Sequence, residues 1–108
     1  MEQIYNKLVR DNIPDIIMSN GEKPITRILS NEEYKQELEK KLYEEYQEVL
    51  ATTTPEDRAE ELADMLEIII SLAKLENKSL DDIVAVADSK REKRGGFDKK
   101  IFLEKVIK

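Results

Sequence analysis

Three stretches of this chain carry apolar residues at helical spacing. In residues 31–50, Leu38, Leu42 and Val49 recur at four- and seven-residue steps. At about 100° per residue they fall within roughly 40° of one another around a helix. In residues 55–76, Met65, Ile68, Ile69 and Leu72 define one face. In residues 80–94, Ile83 and Ala87 begin a face that Lys90 and Arg94 continue by i+3 and i+4 steps, so two cations extend an apolar stripe inward. Boundary residues agree with this phasing. Ser30 with Glu33 three residues on makes a capping box, and Ser79 with Asp82 repeats the pattern. Thr54 is an N-cap followed by Pro55 at the first helical position, with acids in the first turn. Gly95-Gly96 stops the last helix. A shorter helix is predicted in "PDIIMSNG", opening at Pro14 and ending at Gly21.

The remaining segments read differently. Residues 1–12 have no regular period. "ITRIL" (25–29) alternates and is β-branched, which predicts a short strand, and "IFLEKVI" (101–107) is its expected partner. The expected fold is mainly α: an antiparallel helical bundle with a short two-stranded ribbon, in a single domain over residues 1–108.

Acidic positions interrupt the apolar faces. Glu45 lies on the edge of the first stripe, about 20° outside Leu38, and Glu48 flanks it about 80° away, while Glu44 points further toward solvent. In the second helix Glu61 falls inside the apolar arc and Asp64 at its border, whereas Glu60 and Glu67 look outward. The turn "ATTTPED" is short, so the two helices are antiparallel neighbours. Four carboxylates, Glu45, Glu48, Glu61 and Asp64, are therefore expected to converge. Like charges at low dielectric repel and are costly to desolvate. A divalent cation removes the conflict, and all-oxygen ligation suits Mg²⁺, with Mn²⁺ or Ca²⁺ as alternatives. The competing reading is a solvated acidic surface, with Glu45 paired to Lys41 and Glu61 to Arg58.

Composition narrows the chemistry. The chain has no Cys and no His, so thiol nucleophiles, disulfides, imidazole bases and His-ligated zinc are excluded. A net charge of −6 argues against a general binder of nucleic-acid polymers. No leader pattern and no long apolar run are present, which makes a cytoplasmic protein without a membrane span the expectation.

The stretch "EEYQE", followed after twelve residues by "ELAD", resembles the E-E-x-x-E … E-x-x-D signature of MazG-like, all-α nucleotide pyrophosphohydrolases. "YNKLVRDNIP", "KREKRGGFDK" and "IFLEKV" look like the phosphoribosyl-ATP pyrophosphohydrolase-like subgroup, so the resemblance covers most of the chain. It implies an all-α fold that assembles as a homodimer or dimer-based tetramer. It also implies Mg²⁺-dependent cleavage between the α- and β-phosphates of a nucleotide. By position, Glu45, Glu48, Glu61 and Asp64 match the metal ligands, and Glu44 the first acid of the signature. The subgroup often carries Lys where this chain has Asn12, which removes one expected charge contact.

Such chemistry needs a base and cations. Glu48 or Glu45 is the expected acceptor of the water proton; the sequence leaves the two open. Lys7 and Arg10 in the N-terminal stretch, and Lys90 and Arg94 at the end of the third long helix, are the expected phosphate contacts, with Asp11 placed to orient Arg10. Ile69, Ile70 and Ala73 spread beyond one narrow stripe, so the second helix is apolar over about half its circumference, as in helices covered on two sides. Three functions follow as expectations: a nucleoside-triphosphate or related pyrophosphohydrolase, a phosphoribosyl-ATP pyrophosphohydrolase of histidine synthesis, and a non-catalytic helical dimerisation module.

Overall fold

A computed structural model describes residues 1–108. It contains four helices, α1 (Ile13–Ser19), α2 (Asn31–Ala51), α3 (Pro55–Leu75) and α4 (Leu80–Arg94), and no strand. Each long helix starts where its cap residue lies. The Ser30 hydroxyl accepts from the Glu33 backbone N–H, and the Glu33 carboxylate accepts in return from the Ser30 N–H. Ser79 and Asp82 make the same exchange at α4. At α3 the Thr54 hydroxyl accepts from the Asp57 N–H, with Pro55 next to it. Each cap satisfies donors that a helix start otherwise leaves open.

The packed unit is the α2–α3 hairpin. Residues 52–54 turn the chain; the Thr52 hydroxyl closes α2 by donating to the Val49 carbonyl at 2.7 Å. Leu38 and Val49 of α2 and Ile68 and Ala73 of α3 are the buried apolar core, spread along the seam between the two helices. Leu38, 2% exposed, is its centre. Leu42, Met65, Ile69 and Leu72 are half-buried around it, as the periodicity predicts. Fully burying a Leu, Val or Ile side chain contributes roughly 1.5–3 kcal/mol, and Ala73 adds less, so the four make a small core for a chain of this length.

Two expectations are corrected. The ribbon does not form: no backbone hydrogen bond involves residues 25–29 or 101–107, and Ile25, Ile28, Ile101 and Phe102 are exposed. A strand exists only through its partner, and neither segment lies in a ladder. Arg27 reaches forward to Glu33 at 3.0 Å, so "ITRIL" serves the start of α2. The inward stripe on α4 is also absent within one chain. α4 buries no residue; Ile83, Ala87, Lys90 and Arg94 are all exposed because α4 packs only sparsely on α3.

The result is elongated. The molecule measures 64 × 35 × 24 Å with a radius of gyration of 18.6 Å. A compact domain of this length has a radius near ~13 Å.

Two substitutions test this account by urea denaturation. Leu38→Ala is expected to lower the unfolding free energy by about 3 kcal/mol through loss of buried contacts. Ser30→Ala should cost about 1 kcal/mol through loss of the cap. A loss at Leu38 no larger than that at Ser30 would show that the hairpin core is elsewhere.

Candidate metal centre

The hairpin phase turns acids of both helices toward each other. One carboxylate oxygen each from Glu45, Glu61 and Asp64 lies within 4.8 Å of the other two. Glu45 is buried, 8% exposed, and Glu61 and Asp64 are half-buried. Glu48 is exposed, beside the trio, and exchanges a hydrogen bond with Glu61 when one of the pair carries a proton. The four residues picked out by helical spacing are thus neighbours.

Their electrostatics are strained. Glu45 Oε2 and Glu61 Oε2 are buried without a hydrogen-bond partner. Burial first, then the charges of Glu48 and Asp64, raise the Glu45 carboxyl above the ordinary range, while Lys41 pulls it back. The Glu61 carboxyl is pushed up to about 7, first by its hydrogen bond with Glu48, then by burial and the surrounding carboxylates. Without a cation the cluster relieves its repulsion by keeping a proton.

This donor set fits a hard dication. It consists of carboxylate oxygens, two of them buried and unpartnered. Oxygens bound to one Mg²⁺ or Ca²⁺ are at most roughly 4–5 Å apart, and the trio lies within that limit. Mn²⁺ accepts the same ligands.

Both local counter-cations lie on one side. Arg10 donates to Asp64 Oδ1 at 2.8 Å, which ties the N-terminal segment to α3. Lys41 Nζ stands 4.0 Å from Glu45 Oε1, both side chains largely covered. The Lys41 pairing therefore exists in addition to the acid cluster, not in place of it, whereas Arg58 forms no ion pair with Glu61. Asp11 does not hold Arg10; Asp64 does. Lys7 lies over the Tyr5 ring at 5.6 Å and lines a hollow against α2 with Lys40, Lys41 and Glu44. Glu44, expected toward solvent, is half-buried there. Lys90 and Arg94 are exposed and carry no ion pair, so one chain does not bring them to the acids.

Helical spacing alone missed a groove at the hairpin turn. Glu48, Thr52, Thr53, Asp57 and Glu61 line about 310 Å³ of open concavity beside the cluster. The short turn was the available signal, because the lining acids lie within about two helical turns of residues flanking it.

No protein-family profile and no solved structure matches the chain. Over 48 residues it is 46% identical to an uncharacterized protein of Mycolicibacterium smegmatis, covering 44% of this chain and 49% of the relative. The matched region thus spans about half the length of that relative. It is silent on chemistry, and the geometry above carries the functional reading.

The raised carboxyls set a pH dependence. A folded-state pKa above the unfolded value contributes stability that is complete below the unfolded pKa and disappears as pH rises through the folded one. For Glu61 that window runs from the ordinary glutamate range, roughly 4.3, to about 7. Glu45 acts in the same direction. Glu33 and Asp82, held below their ordinary values by their hydrogen bonds, act only at more acid pH. The metal-free melting temperature should therefore fall as pH rises through roughly 5 to 7, the interval between the unfolded and folded values. Glu61→Gln, which keeps an amide donor toward Glu48, should flatten that slope, and added Mg²⁺ should raise the melting temperature most above pH 7, roughly where the cluster is fully ionised. Scanning calorimetry across the interval reads all three.

Proposed function

We propose that this chain is a Mg²⁺-dependent nucleotide pyrophosphohydrolase related to the MazG-like all-α enzymes. It cleaves the α–β phosphoanhydride of a nucleoside triphosphate or related nucleotide, giving a monophosphate and pyrophosphate. The observation that supports this most is the meeting of Glu45, Glu61 and Asp64 across the hairpin, with two buried carboxylate oxygens left without partners.

In this reading Glu45, Glu61 and Asp64 hold the cation, with Glu48 completing the set. The bound cation supplies charge neutralisation at phosphate oxygens and a fixed direction for in-line attack. Glu48, the exposed acid beside the groove, accepts the proton of the attacking water; Glu45 is too enclosed to exchange it readily with solvent. Lys41 favours the ionised form of Glu45, the form that binds a cation, and Glu44 borders the adjacent hollow where Lys7 offers a cation to the nucleotide. Arg10 bonds Asp64 and stands at the edge of the same site. Helices carry the acids, which keeps their spacing rigid.

The active form is a homodimer or a dimer-based tetramer. One chain exposes 10163 Å², about 4,000 Å² more than the ~6,200 Å² expected for a folded monomer of its mass. The same observation favours a second reading, a non-catalytic helical dimerisation module. No helix is long and apolar enough to cross a membrane.

A panel of nucleoside triphosphates, incubated with Mg²⁺ and resolved by ion exchange, should yield monophosphate and pyrophosphate without orthophosphate. Including phosphoribosyl-ATP in the panel separates the narrower activity. Glu61→Gln should lower turnover at least about 100-fold, the upper end of what loss of a mere orienting partner costs. Helicity by circular dichroism should not change. Isothermal titration showing no specific Mg²⁺ site would leave the dimerisation module as the reading.

A further inference from the structure

The C-terminal segment is built like a binding element with nothing to bind. After α4 stops at Gly95, whose φ of 82° suits only a residue without a side chain, residues 95–108 run on without regular structure. The backbone of 101–108 makes no hydrogen bond. Phe97 is 98% exposed, Phe102 87% and Ile107 88%, with Ile101 and Leu103 close behind. A solvated tail is normally polar; two phenylalanines and four large aliphatic residues in fourteen positions are not a solvation pattern.

The α2–α3 hairpin offers the matching surface. Tyr46 and Leu50 lie about 100° and 140° around α2 from Glu45, and Leu62 and Leu66 stand at the same angles around α3 from Glu61. Because the helices are antiparallel, both displacements turn toward one side. The acids face one side of the hairpin and an exposed apolar stripe, extended by Tyr43, faces the other.

Charge separates the two elements in the same sense. Residues 95–108 hold four bases and two acids, net +2, and the last turn of α4 before them is also basic, while residues 31–76 hold five bases and fourteen acids, net −9. Such surfaces attract between copies at a rate and range that apolar patches alone do not give. The surface in excess of a compact monomer, about 4,000 Å², is more than one partner contributes to a standard interface, about 800 Å².

We propose that residues 95–108 form an arm that docks on the apolar side of the α2–α3 hairpin of a second copy. Phe97, Phe102 and Ile107 cover the stripe of Tyr46, Leu50, Leu62 and Leu66, and the arm's lysines meet the hairpin's acidic margins. The exchange is reciprocal under two-fold symmetry, so each pair of copies buries two arms. α4 is then a spacer, which accounts for its exposed faces and sparse packing on α3. This rests on the homo-oligomer of the preceding reading and is independent of hydrolysis.

The chain has no cysteine, so introduced thiols report without background. Chains carrying Phe102→Cys are mixed with chains that carry Tyr46→Cys and a larger affinity tag, equilibrated, and treated with a short bis-maleimide. The expected product is the mixed covalent dimer, at several-fold higher yield than with Glu22→Cys in place of Tyr46→Cys. Phe102→Asp together with Ile107→Asp should lower the sedimenting mass twofold or more, down to the 12.6 kDa of one chain if no other contact joins the copies. Helicity should be unchanged, since residues 96–108 make no hydrogen bond or ion pair with a helix of their own chain. A wild-type oligomer that sediments intact but gives no mixed product above the control overturns the arm while the oligomer stands. An intrachain link in the doubly substituted chain, with no mixed product, assigns the arm to its own hairpin and overturns the proposal. A wild-type monomer overturns both. Failure to cleave any nucleotide touches only the hydrolase.

Discussion

The structure depends on one unfavourable contact, the meeting of carboxylates from α2 and α3 across a hairpin held by four buried apolar residues. Everything nearby answers it. Lys41 and Arg10 lend positive charge from one side, and the Glu45 and Glu61 carboxyls rise above the ordinary range so that part of the charge is neutralised by protons. A fold under selection for stability alone would replace such a set with apolar side chains, often at no loss or a gain. Its presence inside so small a core is the physical reason to read it as a candidate site.

The acids could be found in the sequence because helix phase converts spacing into direction. Ser30, Thr54 and Ser79 fix where the helices begin, and the short turn fixes the partnership of α2 with α3. With those settled, Glu45 and Glu61 had no other direction to face. The same logic failed where the segments lacked a cooperative period. "ITRIL" has strand composition but no ladder, and its arginine is used at a helix start. On α4 the spacing of Ile83 and Ala87 was right as a pattern, yet a stripe buries only if something lies opposite it. Periodicity reports which residues share a face; it does not report whether the covering surface belongs to the same chain. Lys41 was legible as an i, i+4 neighbour of Glu45, but its closeness to a real cluster depended on packing.

The two sides of the hairpin have different physics. The acidic side is shaped by repulsion and gathers cations, and the other side carries tyrosines and leucines left in contact with water. A two-helix unit cannot bury both sides by itself. The elongated shape and large surface of the single chain are the expected result of a hairpin that has found a partner for only its inner seam.

The Arg10–Asp64 bond joins the two ends of this reasoning. Fifty-four positions apart in sequence, these residues share one short ion pair, and Asp64 belongs to the trio of α2 and α3. The N-terminal segment is therefore moored to the same carboxylate that a dication would draw on. Occupancy of the acids and freedom of the amino-terminal segment become linked quantities: a cation that draws on Asp64 slackens the mooring, and a slack mooring leaves a guanidinium unattached at the rim.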